Sequence, residues 1–442
     1  MRDWPIAQLA DVADIRVSGV DKLSSINEKP VRLCNYMDVY ANDYVRADLS
    51  FMEATATASE IARFKVAQGD VMITKDSETP EDIGIPAVVT DEIEGLVCAY
   101  HLALLKPNRN LIDPIYLSKQ LAMPATARYF ARNAAGSTRY GLSNGAIAKT
   151  PLPLAPLDQQ RRIAIILTSI DTAIEKTEAL IAKYQQIKAG LTHDLFTRGV
   201  LPNGQLRPPR EQAPELYQET VIGWIPRAWS IETLADLLAP VPHNIRSGPF
   251  GSALLKHELV EDGIPFLGID NIHVERFDAH FRRFLSERKF RELARYRVRP
   301  GDVVITIMGT VGRCCVIPDT VEIALSSKHL WTMTFDAQRV ISDLICWQLN
   351  HSAWAQAWFR RAMQGGIMDA IQSSTLKTLV VPVPPLEEQK LIHAKYVEVT
   401  RRIEQESKNL EKLRKQKLGL MHDLLTGKVD VQVGAPAPEA MA

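Results

Sequence analysis

The residues best suited to chemistry in this chain are cationic rather than catalytic. The stretch "RRFLSERKFRELARYRVRP" gathers Arg282, Arg283, Arg288, Lys289, Arg291, Arg295, Arg297 and Arg299 around Phe284, Phe290 and Tyr296. Guanidinium and ammonium groups interleaved with aromatic rings suit contacts to phosphate, and arginine can also address a guanine edge with two parallel hydrogen bonds. A solvated helix face, compensated by Glu287 and Glu292, accounts for the same residues, and both readings stay open here. A second patch occurs twice: Arg128, Tyr129 and Arg132 precede Gly136, and Trp358, Arg360 and Arg361 precede Gly365. The loops that follow, "GSTRYGLSNG" and "GGIMDAIQSS", join a flexible backbone to polar side chains, with Arg139 the candidate base reader of the first half. Tyr129 and Trp358 repeat with the fold and read as core. Lys75 and Lys328 stand near the two related strand segments described below, and Lys256 follows the glycine-punctuated "SGPFGSALLKHEL".

Motifs for catalysis are missing. The sequence holds no GxxxxGK[ST] phosphate loop, no GxGxxG after a strand, no HExxH zinc pair, no [ND]PP[YF] aminomethylation motif and no GxSxG nucleophile elbow. The ten histidines are scattered, and the five cysteines form no CxxC pair, so buried reduced thiols are expected. The formal net charge is zero, which disfavours a polyanion binder working by bulk charge but permits local basic stripes. No run reaches the roughly 18 apolar residues of a membrane span, and the start lacks the apolar core of a signal peptide, so a cytosolic location is expected.

These cationic residues sit within a duplication. "APLDQQRRIAI" at Ala155 returns as "PPLEEQKLIHA" at Pro384, with Gln160 and Gln389 229 residues apart. The frame holds without a gap from Tyr129 to Val200, where "KAGLTHDLFTRGV" falls on "KLGLMHDLLTGKV". A proline and an acid (Pro156 with Asp158, Pro385 with Glu387) open each run as a helix start prefers. Apolar residues then recur at heptad spacing: Ile163, Leu167, Ile170, Ile174, Ile181, Tyr184, Leu191 and Leu195. The second copy has Ile392, Tyr396, Val399, Ile403, Leu410, Leu413, Leu420 and Leu424. Both seams break at the same places, Thr177 with Glu406 and Lys188 with Lys417, and Gly199 and Gly427 close the runs as C-terminal caps. The pattern predicts two coiled-coil helices that pair with each other, each of about 38 residues and roughly 57 Å long.

Each helix follows a globular stretch, and the two stretches correspond loosely. "VAQGDVMIT" resembles "VRPGDVVIT", "YHLALL" at His101 resembles "KHLWTM" at His329, and "WPIAQLADV" at Trp4 resembles "WSIETLADL" at Trp229. Short β-branched runs beside helical ones make each domain mixed α and β. The proline-rich "VLPNGQLRPPREQAPEL" is the linker.

This order resembles the DNA specificity subunits of type I restriction-modification systems. The paired PL[DE]xQ helix starts, the endings "GLTHDLFTRGV" and "GLMHDLLTGKV", and "IGWIPRAWSIETLADL" carry the likeness, which covers nearly the whole chain. It implies an α+β fold with internal duplication and pseudo-twofold symmetry. Two target-recognition domains, 1–155 and 221–384, are each followed by a long antiparallel coiled-coil helix, 156–199 and 385–428, with a linker at 200–220 and a disordered tail at 429–442. It implies a non-catalytic subunit that reads double-stranded DNA as two half-sites and holds them at a set gap. Its partners would be two methyltransferase subunits and, in complexes that also cut, two restriction/translocase subunits. The cofactors S-adenosylmethionine, ATP and magnesium belong to those partners, none to this chain, and Gln160 and Gln389 are candidate partner contacts. A specificity subunit for a fused methyltransferase-nuclease, a coiled-coil scaffold without DNA contact, and a self-contained DNA methyltransferase are the rival readings.

Overall fold

A computed structural model describes residues 4–362 and 371–431. The chain divides into two compact units. One comprises residues 1–179 with 407–442, the other residues 180–406. The two long helices, Leu157–Thr197 with 41 residues and Leu386–Leu425 with 40, therefore each contribute one end to each unit.

In the first unit a five-stranded sheet runs in the order Ala13–Val17, Leu102–Pro107, Val71–Thr74, Pro86–Val89, Tyr44–Val45. All neighbours are antiparallel except the last pair. The central strands are continuous apolar runs because both faces are covered: Ile73, Ala103 and Leu105 join one core, Met72, Leu102 and Leu104 the other. The first core extends into the helices. Ile163 and Leu167 enter it from the first helix, Leu424 and Leu425 from the second. A domain sharing its core with both helices is positioned by them, not merely tethered.

The second unit repeats the scheme. Ile245–Ser247, Leu330–Met333, Val303–Thr306 and Cys314–Val316 form the equivalent antiparallel sheet. The edge pair Ile6–Gln8 with Pro151–Pro153 in the first unit matches Ser230–Thr233 with Val380–Val383 in the second. Each unit also has a mixed sheet built around one parallel pair: Met52–Ala56, Lys29–Cys34, Leu96–Cys98 in the first, and in the second the longer order Leu259–Val260, Phe284–Leu285, Ile264–Leu267, Ala324–Ser326, Arg297–Val298. The five cysteines are buried free thiols, as their residue environment suggests.

Within each unit the helix ends run antiparallel. In the first, Asp171 meets Lys417 and Glu178 meets Arg414. In the second, Lys188 lies over the Tyr396 ring at 4.6 Å and Phe196 packs on the same ring. Every seam position singled out above is at least half-buried: Ile163, Leu167, Ile392 and Tyr396 fully, and Ile170, Ile174, Ile181, Leu191, Ile403, Leu410, Leu413 and Leu420 in part.

The polar breaks at Lys188 and Lys417 hold the domains to the helices. Lys417 Nζ lies 2.7 Å from Asp171 and 2.9 Å from Asp43, and Lys119 reaches the same two carboxylates at 2.7 and 2.9 Å. The Tyr44 hydroxyl donates to Asp171 at 2.7 Å. Burial alone would raise the Asp43 carboxyl, but the two ammonium groups outweigh it and hold it at about 2. In the second unit Lys188 donates to Glu275 at 3.0 Å, and the same carboxylate takes hydrogen bonds from His351 and Tyr396. Here too burial works upward, while His351, Tyr396 and Lys188 together bring Glu275 down to about 2. Glu275 sits at φ 59°, a left-handed conformation that few side chains adopt, so its backbone is bent to place this carboxylate.

The helix ends are capped as expected. Gly199 and Gly427 both have φ 66°. A Cβ at Gly199 would collide with Glu388, Trp229 and Arg207, which pack around that turn. Arg207, from the linker, donates to the buried Glu388 at 2.7 Å and to the Arg198 carbonyl at 3.0 Å, so the linker is clamped to both helices.

Candidate nucleic-acid interface

Both domains place a histidine at the same point of the same sheet. His101 immediately precedes the strand Leu102–Pro107, and His329 precedes Leu330–Met333. In each case the adjacent strand, Val71–Thr74 or Val303–Thr306, ends opposite it and turns into a loop, polar in the first domain (Lys75, Asp76, Ser77) and largely apolar in the second (Ile307, Met308, Gly309). A common framework thus presents two different sets of side chains.

In the first domain Asp76 accepts from His101 at 3.1 Å and pairs with Lys75 at 3.3 Å. Asp76–Ser77 pairs with Tyr140–Leu142, whose other neighbour is Ala134–Ala135. The hairpin between those two strands carries Arg139 exposed at its turn, and Gly136 is required there because a Cβ would collide with the Arg139 carbonyl. Arg128 and Arg132 are exposed on the helix Pro124–Asn133 that leads into the hairpin. The sheet therefore brings Lys75 and Arg139 onto one set of paired strands. Tyr129 is a packing residue: it lies against the core and donates to the Ala146 carbonyl at 2.9 Å. Tyr36 and Tyr40, stacked at 5.4 Å on the short helix Tyr36–Tyr40 with Tyr36 bonded to Ser77, add aromatic surface that the sequence reading passed over. Their i, i+4 spacing was the available signal.

In the second domain the loops from Gly248, Gly268 and Ser326 enclose a cleft of roughly 430 Å³. Lys256, Arg283, Lys328 and His329 line it. Beside it Gly248 must be glycine, because a Cβ there would strike the Ser326 carbonyl, and the Arg283 guanidinium lies close against Gly268. Arg283 forms an ion pair with Asp270 across Gly268. Burial first, then the Lys328 and Arg283 charges, push His329 down, so its imidazole is neutral at pH 7.

The long arginine cluster divides between two environments. Arg288 pairs with Glu292 at 3.3 Å, Arg291 with Glu287 at 3.0 Å, and Lys289 with Glu258 at 2.7 Å. These are the pairs a compensated helix face gives, with Arg288 and Arg291 still exposed to solvent, whereas Arg283 turns into the cleft and Arg282 stays exposed beside it. Arg360 and Arg361 are exposed at the end of the helix Ala353–Ala362. Gly365 and most of the loop after it lie outside the described residues, as does the tail beyond Val431.

Gln160 and Gln389 face inward. Both are fully buried. Gln160 donates to the Ala155 carbonyl at 2.7 Å and accepts from the Asp113 amide at 2.8 Å. Gln389 donates to the Pro384 carbonyl at 2.8 Å and accepts from the Ile341 amide at 2.9 Å. The repeated glutamine joins each long helix to a loop of its own domain, and neither amide is exposed to a partner.

Residues 1–185 match the family model described as the type I restriction modification DNA specificity domain. Along the whole chain, the putative type I restriction enzyme MjaX specificity subunit of Methanocaldococcus jannaschii is 24% identical over 433 residues, covering 97% of this chain and 94% of that one. The MjaVIII specificity subunit of the same organism is 22% identical over 434 residues, with the same coverage. These matches point to one family, the specificity subunits of type I restriction-modification systems, which the chain resembles along nearly its whole length. Its fold agrees: the crystal structure of a type I restriction-modification S subunit from M. genitalium superposes with a TM-score of 0.58 over 96% of each chain at 14% identity. At that identity the likeness is one of fold.

Proposed function

We propose that this chain is such a specificity subunit, supplying the address for a DNA-modifying complex and carrying out no chemistry itself. Each domain reads one half of a bipartite, asymmetric sequence in double-stranded DNA. Phosphate contacts dock each domain, and a few side chains at the His101 and His329 positions choose the bases, each well-formed bidentate pair contributing about 1–3 kcal/mol of discrimination. The helices set the permitted gap and dock two methyltransferase subunits. Two restriction subunits complete those complexes that also cleave. S-adenosylmethionine is used by the methyltransferases, and ATP and magnesium by the restriction subunits, all in the cytosol.

The observation that carries this reading is one sheet framework, built twice, with Lys75, Asp76 and His101 in one copy and Arg283, Lys328 and His329 in the other. Identical frames with unlike side chains suit two unlike half-sites. The test is single-molecule sequencing of adenine methylation in cells expressing the partner methyltransferase with and without this chain. A split, non-palindromic methylated sequence that disappears with the chain is the expected result. An active methyltransferase with an unchanged pattern would return the chain to a scaffold role.

A further inference from the structure

The second-domain cleft is a donor-rich site with unmet hydrogen-bonding capacity. Ser327 lines it, is only 6% exposed, and its hydroxyl has no hydrogen-bond partner among the described residues. The Arg283 Nε is likewise buried without a partner there. Lys256 and Lys328 are exposed on its wall. Buried donors without partners are rare in folded proteins, and a cleft that gathers them calls for an acceptor from outside.

Phosphate and the edge of a base are the acceptors DNA offers, and the cleft discriminates between them. Its walls include Leu255, Phe266 and Ile269, against which a phosphate would lose hydration that the site replaces only in part. Asp270 adds a negative charge in direct contact with Arg283, which weakens the pull on a phosphate while fixing the plane of the guanidinium. A planar fork of donors held in a partly apolar slot fits two acceptors side by side on a flat ring. Guanine presents that pair, N7 and O6, in the major groove.

We propose that the cleft between the Gly248, Gly268 and Ser326 loops takes a guanine edge of the second half-site, with Arg283, oriented by Asp270, as the residue that reads it. This rests on the DNA-reading function proposed above. Ser327 supplies a further donor, and Lys256 and Lys328 hold the flanking phosphates. The first domain presents a different set, Lys75, Asp76 and Arg139, and the requirement for guanine applies to the second half-site only.

The experiment uses the full chain with its methyltransferase partner and duplexes carrying the methylated sequence found by sequencing, read by fluorescence anisotropy. Replacing each guanine of the second half-site in turn with 7-deazaguanine removes N7 alone. At one position, binding by the unaltered complex should weaken about five- to hundredfold. Arg283→Ala should lose a similar factor and no longer distinguish guanine from 7-deazaguanine there, while discrimination in the first half-site stays intact. Arg283→Lys, which keeps the charge and loses the fork, should behave like Arg283→Ala. A second half-site without guanine, or an Arg283→Ala complex that weakens equally on every duplex with a reduced salt dependence, would overturn the proposal in favour of a phosphate contact. An unaltered complex with no sequence preference would instead reject the DNA-reading function itself.

Discussion

Lys119 Nζ lies 2.7 Å from Asp171 Oδ2, and both side chains are about 95% buried. Lys119 belongs to the first domain and Asp171 to the first long helix. The pair fastens a recognition domain to the helix that follows it, and Lys417 from the second helix completes the group. Charges so thoroughly desolvated contribute little net stability as an intact set, but each is costly once its partner is removed.

Lys119→Met should therefore destabilise the first unit by about 1–3 kcal/mol, because Asp171 and Asp43 lose one of their two ammonium partners and keep only Lys417. For a unit of this size that lowers its thermal midpoint by about 5 °C. Calorimetry on the full chain checks this, and a shift under 2 °C would mean that water reaches Asp171 freely.

The second unit has a pH dependence of definite sign. Glu275 in the folded chain is held near 2, below its ordinary value of 4.5, against the pull of burial and by virtue of His351, Tyr396 and Lys188. Between those two values the unfolded chain binds the proton that the folded chain refuses. The stabilisation is thus complete above pH 4.5 and is lost as pH falls toward 2, on the order of 3 kcal/mol in all. Urea unfolding should show Glu275→Gln less stable than the parent at pH 7, with the gap closing near pH 2.5. A gap that persists there would assign the effect to shape, not charge.

Much of this architecture was legible in the sequence because duplication and heptad spacing are periodic signals. The breaks at Lys188 and Lys417 were visible too, but their partners were not. Asp43 and Glu275 lie far off in sequence, and only the folded sheets bring them to the helices. The same limit applied to the binding residues. Arg283 looked like its neighbours Arg288 and Arg291; Glu287 and Glu292 offered local partners for the latter two, but nothing local revealed that Arg283 instead lines a cleft and pairs with Asp270. Gln160 and Gln389 stood out as a repeated motif, which marked them as necessary without saying that the need was internal.

The pairing of Arg288 and Arg291 with glutamates has a measurable consequence. Arg288→Ala with Arg291→Ala removes two cations whose charge is already compensated at 3.3 and 3.0 Å, so DNA affinity of the assembled complex should change less than about threefold and its salt slope by less than one. A loss of two in the salt slope would show that both arginines abandon their glutamates for phosphates on binding.

The proposed ruler can be tested by shortening it. Removing one heptad from the first helix between Asp171 and Lys188, and one from the second between Tyr396 and Lys417, leaves both charged fastenings intact. At 1.5 Å per residue the loss is about 10.5 Å, close to three base pairs at roughly 3.4 Å each. Three base pairs also turn the duplex by roughly a third of a revolution, which a rigid pair of readers cannot follow unless the helices unwind by the same phase. Methylation sequencing should accordingly report either the same two half-sites with a gap shorter by three, or no methylation at all. The parental gap, methylated at the parental level, would show that the spacing is measured by something other than these helices.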